Sequence, residues 1–136
     1  MKPSFTLLEL IFVIVIIGIL AGVAIPRMFS GVDDAKIAKV KSDVATIRSA
    51  IATRYGKNVM AGNDICPNLE IDLNDDKLFE AILTYPIKKN GSVKWDGNGS
   101  DYNVTIDSKV IEFKYLNSPD DACKFDCNSS NCDLIR

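Results

Sequence analysis

From Leu10 to Ile25 the chain carries no charged or strongly polar side chain, and this run limits what can be built more than any other feature. Two ordinary readings compete for it. A secretory signal peptide has a basic start, an apolar core of about 7–15 residues and a small-residue cleavage site behind it. Here the apolar stretch is longer, and Pro26-Arg27-Met28 is a poor small-residue site. A membrane-spanning helix fits better, because Phe5 to Ile25 at about 1.5 Å per residue rises roughly 31 Å, enough to cross a bilayer core. Glu9 sits awkwardly in a plain anchor. An acid near the bilayer centre costs on the order of 3 kcal/mol, and less near an interface. Glu9 is therefore either a functional group or the marker of the span's end.

Past Ile25 the chain reads as an ordinary soluble sequence. Ile37, Val40, Val44, Ile47, Ile51 and Tyr55 recur at spacings of three and four, which is one apolar stripe on a helix. Lys39, Asp43, Arg48 and Arg54 fall on the opposite face, and Gly56 is the expected stop. Gly18-Ile19-Leu20-Ala21-Gly22 is a small-xxx-small pattern that permits close helix approach, although glycines are common in membrane helices for other reasons. Pro26 lacks an amide hydrogen and its ring crowds the preceding turn. Gly18, Gly22 and Pro26 are thus the expected sites of softening or bending.

The roughly 80 residues beyond Gly56 can form only a small core and need a helix to pack on, or covalent staples. Residues 57–67 read as a loop. A short helix is expected over Asp75–Leu83, capped by Asn74 or Asp75 and ended by Pro86. Strand signals follow at Ser92–Trp95, Tyr102–Ile106 and Lys109–Tyr115, with turns at Asp96-Gly97-Asn98-Gly99 and Asp107-Ser108. The fold class is therefore α+β, with a small antiparallel meander laid on the stripe of the long helix. The tail from Asn117 lacks periodicity and reads as a loop tied down covalently. Cys66, Cys123, Cys127 and Cys132 fit two disulfides in an oxidising compartment. Three pairings are open, with a preference for Cys66 to a tail cysteine and the remaining two to each other. A four-cysteine zinc site is the rival, but Cys66 stands apart from the close ligand pairs such sites use.

Phe5-Thr6-Leu7-Leu8-Glu9-Leu10 after a very short basic leader resembles the processing motif of type IV pilins and pseudopilins. The likeness covers about the first 55 residues and is loose beyond them. It implies a prepilin peptidase cut between Ser4 and Phe5, N-methylation of Phe5, and Phe5 and Glu9 as the assembly pair. The family usually has Gly before the cut, where this chain has Ser4 preceded by Pro3. The physics is compatible: the freed amine of Phe5 and a neighbour's Glu9 would neutralise each other in a low-dielectric site and fix register between greasy helices. Methylation would keep the positive charge. The resemblance also favours one long helix, bent at Pro26, over a new helix capped at Ser30 and Asp33. It divides the chain into a leader (residues 1–4), a transmembrane and assembly helix (5–26), an amphipathic stem (27–56) and a periplasmic head (57–136).

It further implies a filament subunit of a pilus, a type II secretion pseudopilus or a competence pseudopilus. The expected partners are other pilin-like subunits, the prepilin peptidase, an inner-membrane assembly platform and the lipid bilayer. The basic residues Arg27, Lys36, Lys39 and Lys41 outnumber Lys2 across the span, which by the positive-inside rule alone would put the head in the cytoplasm. The cysteines and the resemblance argue for the periplasm instead. The rival from another class is an uncleaved bitopic anchor carrying a periplasmic binding module.

Residues 27–55 carry six basic and three acidic side chains, and residues from 56 onward nine basic and fourteen acidic ones. An acidic head is a poor match for nucleic acid. Catalysis has no support, since the chain has no His and shows no Gly-rich phosphate loop or clear carboxylate pair. No cofactor is implied. Asp120, Asp121 and Asp126 read as a solvated acidic loop rather than a calcium site, because the EF-hand spacing is absent. Asn98, Asn103 and Asn128 each lie in Asn-x-Ser/Thr with an acid two places upstream. That resembles the extended acceptor motif of bacterial N-glycosylation, with turn chemistry as the plainer reading.

Overall fold

The stripe at Val40, Val44, Ile47 and Ile51 becomes the buried side of a helix, each residue at most 4% exposed. Burial of that kind contributes about 1.5–3 kcal/mol per side chain. The structure is a computed structural model. It describes residues 3–136, with the side chains of residues 24–31 outside that description. The helix, α1, runs from Leu7 to Met60. The chain divides into two units, residues 1–35 and residues 36–136.

In the second unit α1 passes through Gly56 and ends one turn later than expected. The Gly62 N–H donates to the Val59 carbonyl (2.9 Å), and the Asn63 N–H donates to the Asn58 carbonyl (2.9 Å). Gly62 itself sits at φ 82°. This is the Schellman arrangement, and the glycine that serves it is Gly62.

Six strands follow: β1 (Lys77–Leu78), β2 (Ile87–Lys88), β3 (Lys94–Gly97), β4 (Asp101–Ile106), β5 (Lys109–Tyr115) and β6 (Phe125–Cys127). β1 and β2 pair with each other, and β3-β4-β5-β6 form an antiparallel sheet in that order. Strict alternation sends Tyr102, Val104, Ile106, Ile111, Phe113 and Tyr115 inward, against the stripe of α1. The β3–β4 turn is tied by the Asn98 Oδ1, which accepts from the amides of Ser100 (3.1 Å) and Asp101 (2.9 Å). At Gly97 a Cβ would lie 2.2 Å from the Tyr102 ring, so no side chain fits there without moving the core.

The expected helix at Asp75–Leu83 is replaced by the β1–β2 pairing and turns. The cause is Phe79. Its φ is 65°, a value that is a genuine outlier for a bulky residue. Its N–H donates to both oxygens of Glu70 (3.0 and 2.9 Å). Its ring stacks on Tyr102 at 4.7 Å and meets Trp95 and Phe125 edge-on at 6.0 and 5.8 Å. Core packing thus overrides local helix propensity.

The tail is more ordered than a loop. It supplies β6 and two short 3-10 turns, Pro119–Asp121 and Ser130–Ile135. Disulfides join Cys66 to Cys123 and Cys127 to Cys132.

The expectation of a membrane-crossing helix over residues 5–26 is not supported: among the described residues no helix is long and apolar enough to cross a membrane. The helix starts at Leu7, and Glu9 lies in its first turn.

Candidate processing and assembly site

Ser4 and Phe5 lie in irregular, exposed backbone before α1 begins. Phe5 is 79% exposed, so the proposed scissile bond stands clear of secondary structure. Met1 and Lys2, half of the expected leader, lie outside the described residues. Thr6 caps the helix: its hydroxyl oxygen accepts from the Glu9 N–H (3.3 Å), and its carbonyl accepts from the Leu10 N–H (3.1 Å). The spacing Thr6-x-x-Glu9 is that of a capping box, a signal present in the sequence that the pilin-like motif overshadowed. An acid in the first turn also suits the positive end of the helix dipole. Glu9 is exposed, and among the described residues no ion pair engages it.

Around this carboxylate the helix is apolar on all sides. Leu7, Leu8, Leu10, Phe12, Ile14 and Ile17 are each at least 58% exposed, and Val13 and Ile16, on other faces, still 43% and 41%. A helix apolar all round is normally buried all round. Gly18 and Gly22 lie within unbroken helix, and a Cβ at either would meet nothing within 4 Å. Their surfaces are therefore open to a close neighbour. Pro26, the third expected bend residue, lies outside the described residues.

The second unit holds the remaining candidates. Asn98, Asn103 and Asn128 come together along one open groove of about 520 Å³ on the outer face of the sheet. They differ in presentation. The Asn98 side chain is spent on its turn, and Asn103 lies within β4, a strand flanked by β3 and β5. Asn128 follows β6 and is exposed.

Two stem residues expected to face solvent instead hold the head. The Arg48 Nε donates to the Phe125 carbonyl (2.9 Å) on edge strand β6. The Asp43 carboxylate accepts from the Trp95 Nε1 (3.3 Å) and pairs with Lys39. Helical periodicity marks such residues as off the stripe but cannot tell the solvent face from the rim of the core.

Several ionisable groups of the head are displaced by burial. Desolvation raises Glu70 above its ordinary range, and this outweighs the hydrogen bonds from the Phe79 N–H and the Tyr102 hydroxyl that act the other way. Tyr102 is pushed up by burial first and then by the adjacent Glu70 charge. Burial pushes Tyr115, whose hydroxyl donates to the Pro67 carbonyl (2.8 Å), up to about 12.

Comparison with known proteins gives a consistent set of relatives. The chain is 44% identical over 69 residues to the type IV narrow pilus major component PilA5 of Thermus thermophilus, covering 49% of this chain and 60% of that one. It is 28% identical over 132 residues to the type II secretion system core protein G of Pseudomonas aeruginosa, covering 97% and 84%. It is 40% identical over 67 residues to a type IV major fimbrial protein FimA of Dichelobacter nodosus, covering 46% and 43%. The chain thus spans less than two thirds of the pilins it matches and most of the secretion protein. No family model and no solved structure matches it.

Proposed function

We infer that this chain belongs to the type IV pilin and pseudopilin family and serves as a structural subunit of a filament. One observation carries the reading. From Leu7 to Val23 the first unit is a helix with large apolar side chains exposed on every face, and Glu9, in its first turn, is the one carboxylate of that stretch. One partner surface would cover one side of such a helix. A bundle of the same helices covers all sides, and a cation supplied by each neighbour answers each Glu9.

Phe5 is the proposed source of that cation. Cleavage between Ser4 and Phe5 by a prepilin peptidase exposes its amine, and methylation leaves it charged. The exposed, non-helical backbone at Ser4 and Phe5 supports access by the peptidase. Before assembly, residues 5–26 are lodged in the inner membrane as a single pass, where lipid covers the side chains that neighbours cover later. The head lies on the periplasmic side, in keeping with its two disulfides. An inner-membrane platform then moves the subunit into the fibre. Of the three asparagine acceptors, Asn128 is the one that lies outside the strands with its side chain not engaged in a turn. Intact mass of the chain recovered from its own cells should show at most that site modified, and an unmodified mass would end the idea.

The decisive experiment is to express the chain with and without the peptidase and to read its N-terminus by mass spectrometry. Methylated Phe5 in assembled filaments is the expected result. An intact Met1 in the presence of the peptidase would favour the uncleaved anchor instead.

A further inference from the structure

Resting on the filament reading, we propose that the outer face of the sheet is an electrostatic dock for a second copy of this chain, which inserts Arg54 and Lys57 of its α1. The dock is the groove described above. Strand register fixes its floor. Asp96, Asn103 and Glu112 lie side by side across β3, β4 and β5, and Asp101 sits opposite Lys114 on the next row. All five line the groove and all are exposed. Asp96 binds the N–H of its own neighbour Gly97 (2.9 Å). Among the described residues, no ion pair engages Asp96, Asp101, Glu112 or Lys114. Lys114 lies between Asp101 on β4 and Asp126 on β6, so its charge is answered within its own row. Two negative charges then remain, held on a rigid sheet about 9.5 Å apart at Asp96 and Glu112.

The complement lies on another element. Arg54 and Lys57 are exposed in the last turns of α1, three residues apart, so their Cβ atoms lie about 5–6 Å apart on one helix face. Among the described residues, no ion pair engages either one. Two unanswered cations on long stems therefore match two unanswered carboxylates in number and in reach. The amides of Asn103 and Asn128 add acceptors that suit the fork of Arg54. Dock and complement are different surfaces, so the contact is heterologous and propagates rather than closing on itself. Each exposed pair is individually weak and screened by salt. Repetition along a fibre makes the contact selective, and like charges in the wrong register oppose misplacement.

The test uses the full chain with its own assembly machinery, and the readout is filament yield after shearing. Arg54→Glu with Lys57→Glu should lower yield by about tenfold or more, as should Asp96→Lys with Glu112→Lys. Combining all four substitutions should bring yield back to within about threefold of the parent. Full yield from either reversal, or no recovery from the combination, would overturn the dock. A second arm does not depend on charge. Lys57→Cys with Asp96→Cys should give a ladder of disulfide-linked oligomers from oxidised filaments, and monomer alone from intact filaments would overturn the proposal. If the parent chain forms no filaments, the subunit reading falls with it. If the parent assembles and the variants behave alike, the dock alone falls.

Discussion

Single residues govern both ends of the molecule. On the filament reading proposed above, Glu9 serves as the assembly carboxylate, and Glu9→Ala should leave membrane insertion unchanged while abolishing filaments. Carbonate extraction and electron microscopy of the same cells would check the two halves of that statement. Glu70 works within the head, where its oxygens hold the Phe79 amide and the Tyr102 hydroxyl. Glu70→Ala leaves those donors unpaired and should cost about 1–3 kcal/mol by chemical denaturation. Glu70→Gln retains an acceptor and should cost less. Because burial raises Glu70 above its ordinary value of 4.5, the folded chain holds a proton that the unfolded chain has released. Its contribution is greatest at low pH and declines as pH rises through the raised value, and Glu70→Gln should remove that part of the pH profile. Tyr115 behaves in the same sense at the alkaline end. Its ordinary value is 10.0 and its folded value about 12, so stability should fall as pH climbs between the two. Thermal melts across that range would measure it, with Tyr115→Phe expected to lessen the decline and leave the part that the raised Tyr102 contributes.

At the level of elements, the patterned segments were legible and the context-dependent ones were not. The stripe on α1 and the alternation in β4 and β5 follow from repeat periods of 3.6 and 2 and appear where the sequence placed them. Ile47, fully buried on the stripe, should cost about 2–5 kcal/mol when changed to Ala, read by denaturant titration. The end of α1 was misplaced because two glycines competed, and a hydrogen-bond pattern at Gly62 that composition does not encode decided between them. The helix expected at Asp75–Leu83 lost to Glu70 and three aromatic rings gathered around Phe79. Strand β6 was invisible because three residues are too few to show alternation. In the candidate site, the motif from Phe5 to Glu9 was plain in the sequence, as were the cysteines. The Thr6 cap was readable from its spacing alone, whereas the roles of Arg48 and Asp43 required the tertiary packing.

For the whole molecule, the two disulfides act on different lengths of chain. Cys66–Cys123 spans 57 residues and Cys127–Cys132 spans 5. In the chain-entropy account, losing the first should cost about 4 kcal/mol and losing the second about 2 kcal/mol. Paired Cys→Ser variants compared by urea titration should show that order, and equal losses would mean that local strain or packing outweighs loop closure. The longer bridge begins soon after α1 ends at Met60 and returns just before β6.

That placement gives the chain a mechanical fuse. Under tension applied to its two ends, the helix and the tail can be drawn out, but the strands from β1 to β5 lie inside a covalent ring. At about 3.3–3.6 Å per extended residue, the ring withholds close to 200 Å of contour from any stretch. On the filament reading, a fibre of such chains gives under load without surrendering the sheet.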